Sequence, residues 1–516
     1  MKKKKKFYMA AGLIALICCI FISCSFDPHP NAEVFVRKGD GTQLIRPGAM
    51  HTQEDFVALR KLMDRWHGIE RDWSVGNGAW GPQVGTTTPM IPEAPDFSNE
   101  LTPREIVETY RPGHVFAARP SDFPVSFEWV WAHREIRAAN RRMFAEWRAW
   151  ESYREFWAHP DGAFRNFHRD FSATGWHIGR DGWVGGTSAA VSGDMRIAYF
   201  NAMRWVLTGD RRHAETAFQV LDTYGRNLQG FGHGGFYDYM LMVGMQGHLK
   251  AVAADIIRHG RDVVTGQGSG FIDEQFYHID RSIRDIWLYA VIHDYVNVPS
   301  WRATNQGCMI MAAYIAIAIY LDDRPLLEQA IEFLVNGEIE ASIRVNFNPT
   351  SGQAREATRS QGYAGLGIGK TVLAAEAAWN QGYNVFGAHN NVLWRAQEFF
   401  ARFNMGDNNL QSTNPRVFCP FAPDFFFDPE GNQWNVREIS VGGRGYMGPG
   451  AEILYNHFVR RMGMPMPWTE AMLGFRVNAA GEIFGGAYGW HAVDSPPGFT
   501  SFLSVGRDLA RELGLM

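Results

Sequence analysis

The sequence predicts a mainly α-helical fold, a toroid or a bundle built from helical hairpins. Two pairs of apolar segments with helical spacing carry this prediction, one within residues 197–228 and one within 309–336. The first pair is joined by Thr208-Gly209-Asp210, which can end one helix and cap the next, and the second pair lies around Asp322-Asp323. Repeated helix pairs with short turns favour helical layers over a sheet protein. No repeat of fixed period is visible, so a tetratricopeptide-type array is not expected.

Apolar residues at helical spacing predict further helices along the chain. They cover residues 56–66, 127–158, 239–258, 282–296, 451–462 and 506–513. Two β-hairpins are predicted towards the C terminus, at 425–441 and at 473–484. Residues 67–124 are rich in Gly, Pro and Thr and are typical of a long loop, which in a compact domain is usually functional.

Residues 1–24 are typical of a secretory signal peptide. Lys2 to Lys6 form a basic segment, and the apolar segment over 9–22 is shorter than a membrane-spanning helix normally needs. A cysteine after a small residue, as in Ser23-Cys24, resembles a bacterial lipobox. We therefore expect cleavage before Cys24, lipidation of its thiol, a linker over 25–46, and export to the bacterial cell envelope, in the periplasm or as an outer-membrane lipoprotein. The alternative is a plain signal peptide with an incidental cysteine.

Cysteine usage and charge exclude several classes of protein. Removal of the leader leaves Cys24, Cys308 and Cys419, so no disulfide framework is evident, and the spacing offers no Cys/His zinc site.

The formal net charge of −4 includes the five leader lysines, so the mature chain is more acidic. This argues against nucleic acid as a partner but permits a cleft that is locally basic. The 18 tryptophans offer ring faces that suit sugars, although such rings serve equally well in a core.

A polar stretch that precedes an apolar helix is the main candidate site. Glu356, Arg359, Gln361 and Tyr363 fall within eight residues. If the backbone is helical from Arg359, then Arg359 and Tyr363 share one face, and a cation beside a phenol favours the phenolate. The glycines of this stretch fit equally well a turn that approaches a ligand closely. The alternative interpretation is an ion pair between Glu356 and Arg359 at a helix start, with Tyr363 in the core.

Two other positions are candidates on local grounds. His233 lies in a glycine-rich turn before a predicted helix, where a histidine is a better site candidate than on a helix face. The alternative is a loop histidine bonded to the backbone. Asn305 and Gln306 precede the helix that begins near 309, and capping that helix is the more common role for such an asparagine.

Several short motifs, in order along the chain, extend this reading. E-x-x-R-x-Q-G-[H/Y] at 356–363 is followed by an apolar helix and by W-N-Q-G-x-x-[L/V]-[Y/F]-G at 379–387. Together they resemble the alginate-lyase superfamily of polysaccharide lyases, closest to the branch that includes glucuronan lyases. Further similar segments are 47–55, 198–202 with 208–214, Asn305-Gln306, and 445–463 with Tyr455-Asn456-His457. The resemblance is patchy over 47–66 and better over about 175–510.

The resemblance implies a fold and an activity. The fold is an (α/α) toroid or incomplete barrel of helical hairpins, here over 47–516, with a few short C-terminal β-strands. The activity is that of a carbon-oxygen lyase that cleaves an acidic polysaccharide, alginate-like or glucuronan-like, by β-elimination. No cofactor and no metal are required for this chemistry, and a membrane is expected as a partner only through the lipid anchor.

The resemblance also implies roles for individual residues. In related lyases an Asn at the position of Asn305 binds the substrate carboxylate and is followed by His, where this chain has Gln306. Tyr363 suits proton transfer as a phenolate base and also as the acid. Related lyases commonly carry His at this position, so this chain departs from them but keeps a titratable group there. Arg359 suits stabilisation of charge on the carboxylate. The reserve candidates for proton transfer are His233 and His457, and the residues expected to bind substrate are Gln306, Gln361, Tyr237, Tyr455 and Arg444.

Two other functions stay open from the sequence. A glycoside hydrolase on the same fold needs two carboxylates flanking the scissile bond, and Asp238, Asp285 and Glu356 are available without a paired motif. A non-catalytic glycan-binding lipoprotein of the surface would need no Arg/Tyr/Asn constellation. Formation of an unsaturated uronate from alginate or glucuronan would separate the lyase from both.

Overall fold

The computed structural model describes the larger part of the chain. The described residues are 43–67, 176–178, 187–231, 238–297, 304–338, 341–404, 438–444, 450–476 and 506–516, with positions between 153 and 164 and at 407 and 410. The predicted signal peptide, the predicted loop over 67–124 apart from His67, and nearly all of the predicted helix over 127–158 lie outside them. His67 is the last residue of a helix.

The described elements are helical except for two short strands, so the predicted mainly α fold is confirmed. The helices are α1 (Gln53–His67), α2 (Thr187–Thr208), α3 (Arg211–Asn227), α4 (Asp238–His259), α5 (277–296), α6 (Thr304–Tyr320), α7 (Arg324–Asn336), α8 (Ile343–Asn346), α9 (Gln361–Asn380), α10 (Ala388–Asn404), α11 (Ala451–Tyr455), α12 (Pro467–Arg476) and α13 (Gly506–Glu512). Four 3₁₀ turns lie at Pro160–Gly162, Asp273–Phe276, Arg355–Thr358 and Val385–Gly387. The strands β1 (Trp176–Ile178) and β2 (Leu228–Phe231) pair in parallel.

Helix α6 forms the centre of the core. Its residues from Cys308 to Tyr320 are at most 1% exposed, because the segment is apolar on every side. A helix without a polar face must be covered all round. Helices α4 and α9 pack against it on two sides, and α5 and α7 also contact it.

Five inner helices contact one another in chain order: α2, α4, α6, α9 and α11. Outer helices α3, α5, α7 and α10 follow the first four and return the chain, so the inner helices run in the same direction. Gly244 near the start of α4 shows this register, since a Cβ there would lie 2.7 Å from the backbone carbon of Met309 near the start of α6. This is the alternation of inner and outer helices of an (α/α) fold.

The two ends of the described chain complete the ring of contacts. Helix α1 packs against α2 and α13, and α13 packs against the π-helical segment Asn456–Arg461 that continues α11. Arg461 bridges Glu376 of α9 at 2.6 Å and Asp508 of α13 at 2.8 Å. Contacts therefore run from α2 through each inner helix and back to α2 through α13 and α1.

Residues 43–52 cover the end of this ring at which the inner helices finish. Gly48 N donates to Asp255 of α4 at 2.7 Å, and Asn380 of α9 donates to the Met50 carbonyl at 3.0 Å. Ile45 N donates to Gln381 at 2.7 Å, directly after α9. We call residues 43–52 the floor segment. The inner helices begin at the opposite end, where the predicted site residues lie.

The predicted helix cap at the first hairpin turn is confirmed, and the structure has a similar cap at the second. Asp210 accepts from the backbone N–H of Arg212, and Gly209 before it has φ +75°, a value that favours glycine. Asp323 accepts from the backbone N–H of Leu326 at the start of α7.

The described part of the C-terminal hairpin predictions is wrong. Leu473 does not begin a strand, because α12 continues through Arg476. The Glu398 carboxylate accepts from the first N–H groups of α12, and Leu473 is fully buried, which favours the helix. Residues 438–441 form no strand either, and the rest of both predicted hairpins lies outside the described residues. Within the described part of the chain, no helix is long and apolar enough to cross a membrane.

Candidate functional site

The start of α9 positions the main candidate residues. A 3₁₀ turn over Arg355–Thr358 leads into Arg359, and Ser360 then interrupts the helical backbone with φ −167°. The Ser360 hydroxyl accepts from the backbone N–H of Gly362 at 3.1 Å and so caps α9. The expectation of a helix from Arg359 is therefore wrong, since α9 begins at Gln361.

Arg359 and Tyr363 nevertheless lie in contact. The guanidinium carbon of Arg359 lies 3.9 Å from the centroid of the Tyr363 ring, a cation–π geometry. The cation therefore covers the face of the ring. Both residues are partly exposed, so the pair borders a surface that a ligand can reach.

Glu356 holds the other side of the Arg359 guanidinium. Their side chains lie 3.5 Å apart, with Glu356 1% and Arg359 30% exposed. The predicted ion pair is thus present, and it joins a buried carboxylate to a partly exposed cation that also contacts Tyr363. A buried carboxylate fixes the position of such a cation more firmly than a surface pair does, because screening by water is weaker.

Behind Glu356 lies a buried polar cluster at the start of α6. Burial raises the pKa of the Cys308 thiol to about 12, and the nearby Glu356 carboxylate adds to the rise. Asn346 donates from Nδ2 to the Cys308 sulfur at 3.2 Å, and its buried Oδ1 has no hydrogen-bond partner in the described part of the chain. An orphaned buried carbonyl oxygen costs free energy unless a ligand or water completes it.

Asn305 lies in the first turn of α6, next to this cluster. Helix α6 begins at Thr304, so Asn305 is inside the helix and does not cap it. A Cβ built on Gly367 of α9 would lie 3.7 Å from Asn346 Nδ2 and 3.8 Å from Asn305 Cα, which places both asparagines against the same turn of α9. Asn305 is 2% exposed, whereas Gln306 beside it is partly exposed.

Asn346 is a candidate that sequence reasoning did not select. It ends the short helix α8 and lies beside Asn305 only because α8 packs between α7 and α10. The sequence signal is weak, an asparagine within Asn346-Phe-Asn-Pro, which reads as an ordinary turn.

Gln361 and Arg444, both predicted to bind substrate, have structural contacts near the start of α9. Gln361 is 1% exposed, and its amide donates to the Ser440 carbonyl at 2.8 Å and accepts from Asn404 at 3.1 Å. Arg444 donates to the Phe403 carbonyl at 2.8 Å and lies over the Phe403 ring. These hydrogen bonds hold the segment 438–444 against the start of α9 and the end of α10.

His457 and Tyr455 lie in the core. The His457 ring is 1% exposed and stacks on Phe386 with centroids 4.0 Å apart, with Trp379 packed edge-on. Tyr455 is also 1% exposed, and its hydroxyl donates to Glu470 at 3.4 Å. A polysaccharide cannot reach either side chain in this arrangement, so the structure does not bring them to the site at the start of α9. His233, Tyr237 and Cys24 lie outside the described residues.

The helix ends add a favourable field at this site. The long helices α6 and α9 both begin here, and the N-terminal end of a helix carries partial positive charge. Together with Arg359, these ends favour an anion such as a carboxylate. Among the described residues, no group of His, Cys, Asp and Glu has the arrangement of a metal site.

Comparison with known families finds a match over the central part of the chain. Residues 249–410 match the family model described as alginate lyase. The resemblance to the alginate lyases is confirmed. The match supports a polysaccharide lyase, and it contains Asn305, Arg359 and Tyr363. His233 and His457 lie outside the alginate lyase segment.

A solved structure is also similar. The crystal structure of alginate lyase A1-III from Sphingomonas species A1 shares 15% identity, with a TM-score of 0.36 over 56% of this chain and 77% of that chain. No curated protein is significantly similar to the chain.

Proposed function

We propose that the protein cleaves a uronic-acid polysaccharide, alginate-like or glucuronan-like, by β-elimination. The alginate lyase match supports the coarser assignment to polysaccharide lyases. The observation that carries the finer proposal is the contact of Arg359 with Tyr363, at 3.9 Å, at the end of the ring where α6 and α9 begin. A cation and a titratable phenol then border the same surface.

The substrate carboxylate is proposed to lie between Arg359 and the first turn of α6. Removal of the C5 proton develops negative charge on that carboxylate, which hydrogen-bond donors and a guanidinium stabilise. Asn305 supplies an amide at this turn, and Glu356 fixes Arg359 at 3.5 Å. The partial positive charge at the starts of α6 and α9 acts in the same direction.

Tyr363 is proposed to transfer the proton. As phenolate it takes the C5 proton, the electron pair forms the C4–C5 double bond, and the C4–O bond breaks. The leaving oxygen then receives a proton, which the newly formed phenol of Tyr363 can return. Arg359 lies against the ring face, and the hydroxyl at the edge of the ring is proposed to be the group that reaches the substrate.

The competing functions have less support in the described residues. Asp285 is exposed on the outer helix α5, whereas Glu356 is buried and paired with Arg359, so these two carboxylates do not flank a common bond. A hydrolase would require such a flanking pair. A binding protein without activity would not require the phenol of Tyr363.

Tyr363→Phe tests the proposal directly. The change keeps the ring under Arg359 but deletes the titratable group, so kcat should fall by about two orders of magnitude or more. Ultraviolet absorbance of the unsaturated uronate, with alginate, glucuronan and other uronans as substrates, measures the rate and also identifies the polymer. Thermal unfolding should stay nearly unchanged, since loss of one hydrogen bond costs only about 1 kcal/mol.

Tyr363→His is the companion variant, because imidazole is also a base. It should retain part of the activity, with the pH optimum moved towards the range in which histidine titrates. A fully active Tyr363→Phe enzyme would remove the phenol from the mechanism and shift attention to His233.

We also propose that the protein is exported and anchored through an acylated Cys24. The support is the order of basic segment, apolar segment and Ser23-Cys24 in the first 24 residues. Cys24→Ala should move the protein from the membrane fraction to the soluble fraction, as seen by immunoblotting after a salt wash. Ser25→Ala is the matched control and should fractionate like wild type. Retention of Cys24→Ala in washed membranes would contradict the anchor.

A further inference from the structure

The outer helix α5 carries an exposed stripe that the proposed chemistry does not use. Every fourth residue from Tyr277 to His293 is exposed, and Tyr277 and Tyr289 are among the most exposed large side chains, at 62% and 52%. We call this set the outer stripe. Its members are Tyr277, Arg281, Asp285, Tyr289 and His293, with exposed Arg284 beside Asp285.

The π-helical turns of α5 produce this alignment. An ordinary α-helix repeats every 3.6 residues, so a spacing of four would drift around the helix. Ile283–Leu288 and Ile292–Val296 are π-helical, with more residues per turn, and they alternate with the α-helical turns. The average period is thereby close to four residues. The buried side confirms it, since Ile279, Ile283, Trp287, Val291 and Tyr295 also recur every fourth residue.

The stripe combines aromatic faces with cations that have no carboxylate partner. Tyr289 stacks on His293 with ring centroids 4.2 Å apart, which forms a flat aromatic platform. Among the described residues, neither Arg281 nor Arg284 forms an ion pair, although Asp285 is close in sequence. Two exposed arginines against one exposed aspartate leave a positive surplus between the two tyrosines.

The position of α5 connects the stripe with the candidate site. The helix begins beside Arg258 near the end of α4, since Arg258 bridges Asp280 at 2.9 Å. It finishes against the first turn of α6, where a Cβ on Gly307 would lie only 1.9 Å from the Tyr295 hydroxyl. Gly307 thus permits the end of α5 to approach the turn that holds Asn305. The stripe therefore runs along the outside of the ring towards the end at which the site lies.

We propose that the outer stripe is a second binding surface for the acidic polysaccharide, outside the site of cleavage. Sugar rings stack on Tyr277, Tyr289 and His293, and uronate carboxylates pair with Arg281 and Arg284. The proposal rests on the proposed function for the identity of the polymer. In this proposal the outer stripe holds long polysaccharide chains. Short substrates bound at the site of cleavage do not reach the stripe.

The test compares long and short substrates. For Tyr277→Ala/Tyr289→Ala, kcat/KM on polymeric substrate should fall about tenfold, as expected for two lost stacking contacts. On short oligouronides kcat/KM should stay the same as in wild type. Met462→Ala, which removes another half-exposed large side chain, is the control and should change neither value. Equal losses on both substrates, or no loss on either, would overturn the proposal.

A binding measurement makes the result independent of catalysis. In the Tyr363→Phe background, native electrophoresis through gels that contain alginate or glucuronan should retard the protein, and the double tyrosine variant should be retarded less. Arg281→Gln/Arg284→Gln should lose the preference for these polymers over a neutral dextran. Both sets of side chains are exposed, so the variants should fold, and circular dichroism checks this.

The outcomes separate the two proposals. If wild type cleaves no uronan but retardation still depends on the stripe, the proposed function fails and the binding surface stands. If wild type cleaves uronans and neither stripe variant alters retardation, the binding surface fails alone. If sedimentation shows a wild-type dimer that the tyrosine variant dissociates, the stripe is a contact between copies and the proposal is wrong.

Discussion

At the scale of single residues, the site depends on how a buried carboxylate holds a partly exposed cation. Glu356 is almost fully buried, yet it lies within 3.5 Å of Arg359, which in turn covers the Tyr363 ring at 3.9 Å. The Glu356 carboxylate therefore holds the charged group of Arg359 in position, and the Tyr363 ring fixes the orientation of the guanidinium plane. A guanidinium held on two sides is prepared for the carboxylate of a substrate before that substrate binds.

Glu356→Gln tests this positioning role. The amide keeps the size of the side chain but loses the charge that holds Arg359, so kcat/KM should fall roughly tenfold or more, mainly through KM. Steady-state kinetics on the preferred uronan measure the change. Glu332→Gln, on the exposed face of α7, is a suitable control. Unchanged kinetics in Glu356→Gln would make the ion pair merely structural.

At the scale of elements, the start of α9 decides where Tyr363 lies. The chain passes from a 3₁₀ turn through the extended residue Ser360 into a 20-residue helix. The segment 438–444 is bonded across this start, because Gln361 N donates to the Gly442 carbonyl at 2.8 Å and Ser440 N donates to the Ala357 carbonyl at 2.9 Å. The start of α9, capped by Ser360, therefore determines where Tyr363 and its neighbours in the candidate site lie.

Ser360→Ala should weaken this helix start. Loss of the cap costs about 1 kcal/mol of stability and lets the first turn of α9 fray, so kcat should also fall severalfold. Thermal unfolding and initial rates measure the two effects. Ser360→Asp restores an acceptor for the Gly362 N–H and should recover both. A loss of activity that Ser360→Asp does not recover would mean that the hydroxyl has another role.

Particular residues show what sequence alone could predict. The hairpins and their caps at Asp210 and Asp323 follow from local patterns, and both are present. The pairing of Arg359 with Tyr363 was expected for the wrong reason, since the helix begins two residues later than Arg359. Asn346 and the burial of His457 depend on which helices pack together, information that a local pattern does not contain.

At the scale of the whole molecule, buried histidines lie where the ring meets the floor segment. His51 of the floor segment contacts the Tyr199 hydroxyl at 2.8 Å, and neither ring nitrogen of His248 in α4 has a hydrogen-bond partner among the described residues. Burial lowers the pKa of both histidines to about 3, and for His248 the charge of Lys370 adds to the shift. Both are therefore neutral in the folded protein at neutral pH.

These histidines should make the fold sensitive to acid. Between about pH 6.5 and pH 3 the unfolded chain binds more protons than the folded one, so their contribution to stability is lost as pH falls. Burial raises the pKa of Asp255 to about 6 and that of Glu398 to about 7, and these groups act in the opposite direction. A variant is therefore needed to isolate the histidine contribution.

His248→Leu isolates the contribution of His248 to the pH dependence of stability. Relative to wild type, the variant should gain roughly 1 kcal/mol of unfolding free energy for each pH unit below the ordinary histidine range, since it has no proton to take up on unfolding. Urea unfolding at several pH values measures the difference. A difference that does not depend on pH would show that His248 can be protonated in the folded protein.

The floor segment is the described part of the fold that lies closest along the chain to the proposed lipid anchor at Cys24. Its first described residue, Gln43, follows Cys24 by 19 positions, which is a reach of at most about 65 Å even for a fully extended chain. With Cys24 acylated as proposed, the lipid tether joins the ring at the end where the inner helices finish. Arg359 and Tyr363 lie at the other end and would then face away from the bilayer. A polymer arriving from the aqueous side would meet the catalytic end first, with the outer stripe running down the flank towards the lipid.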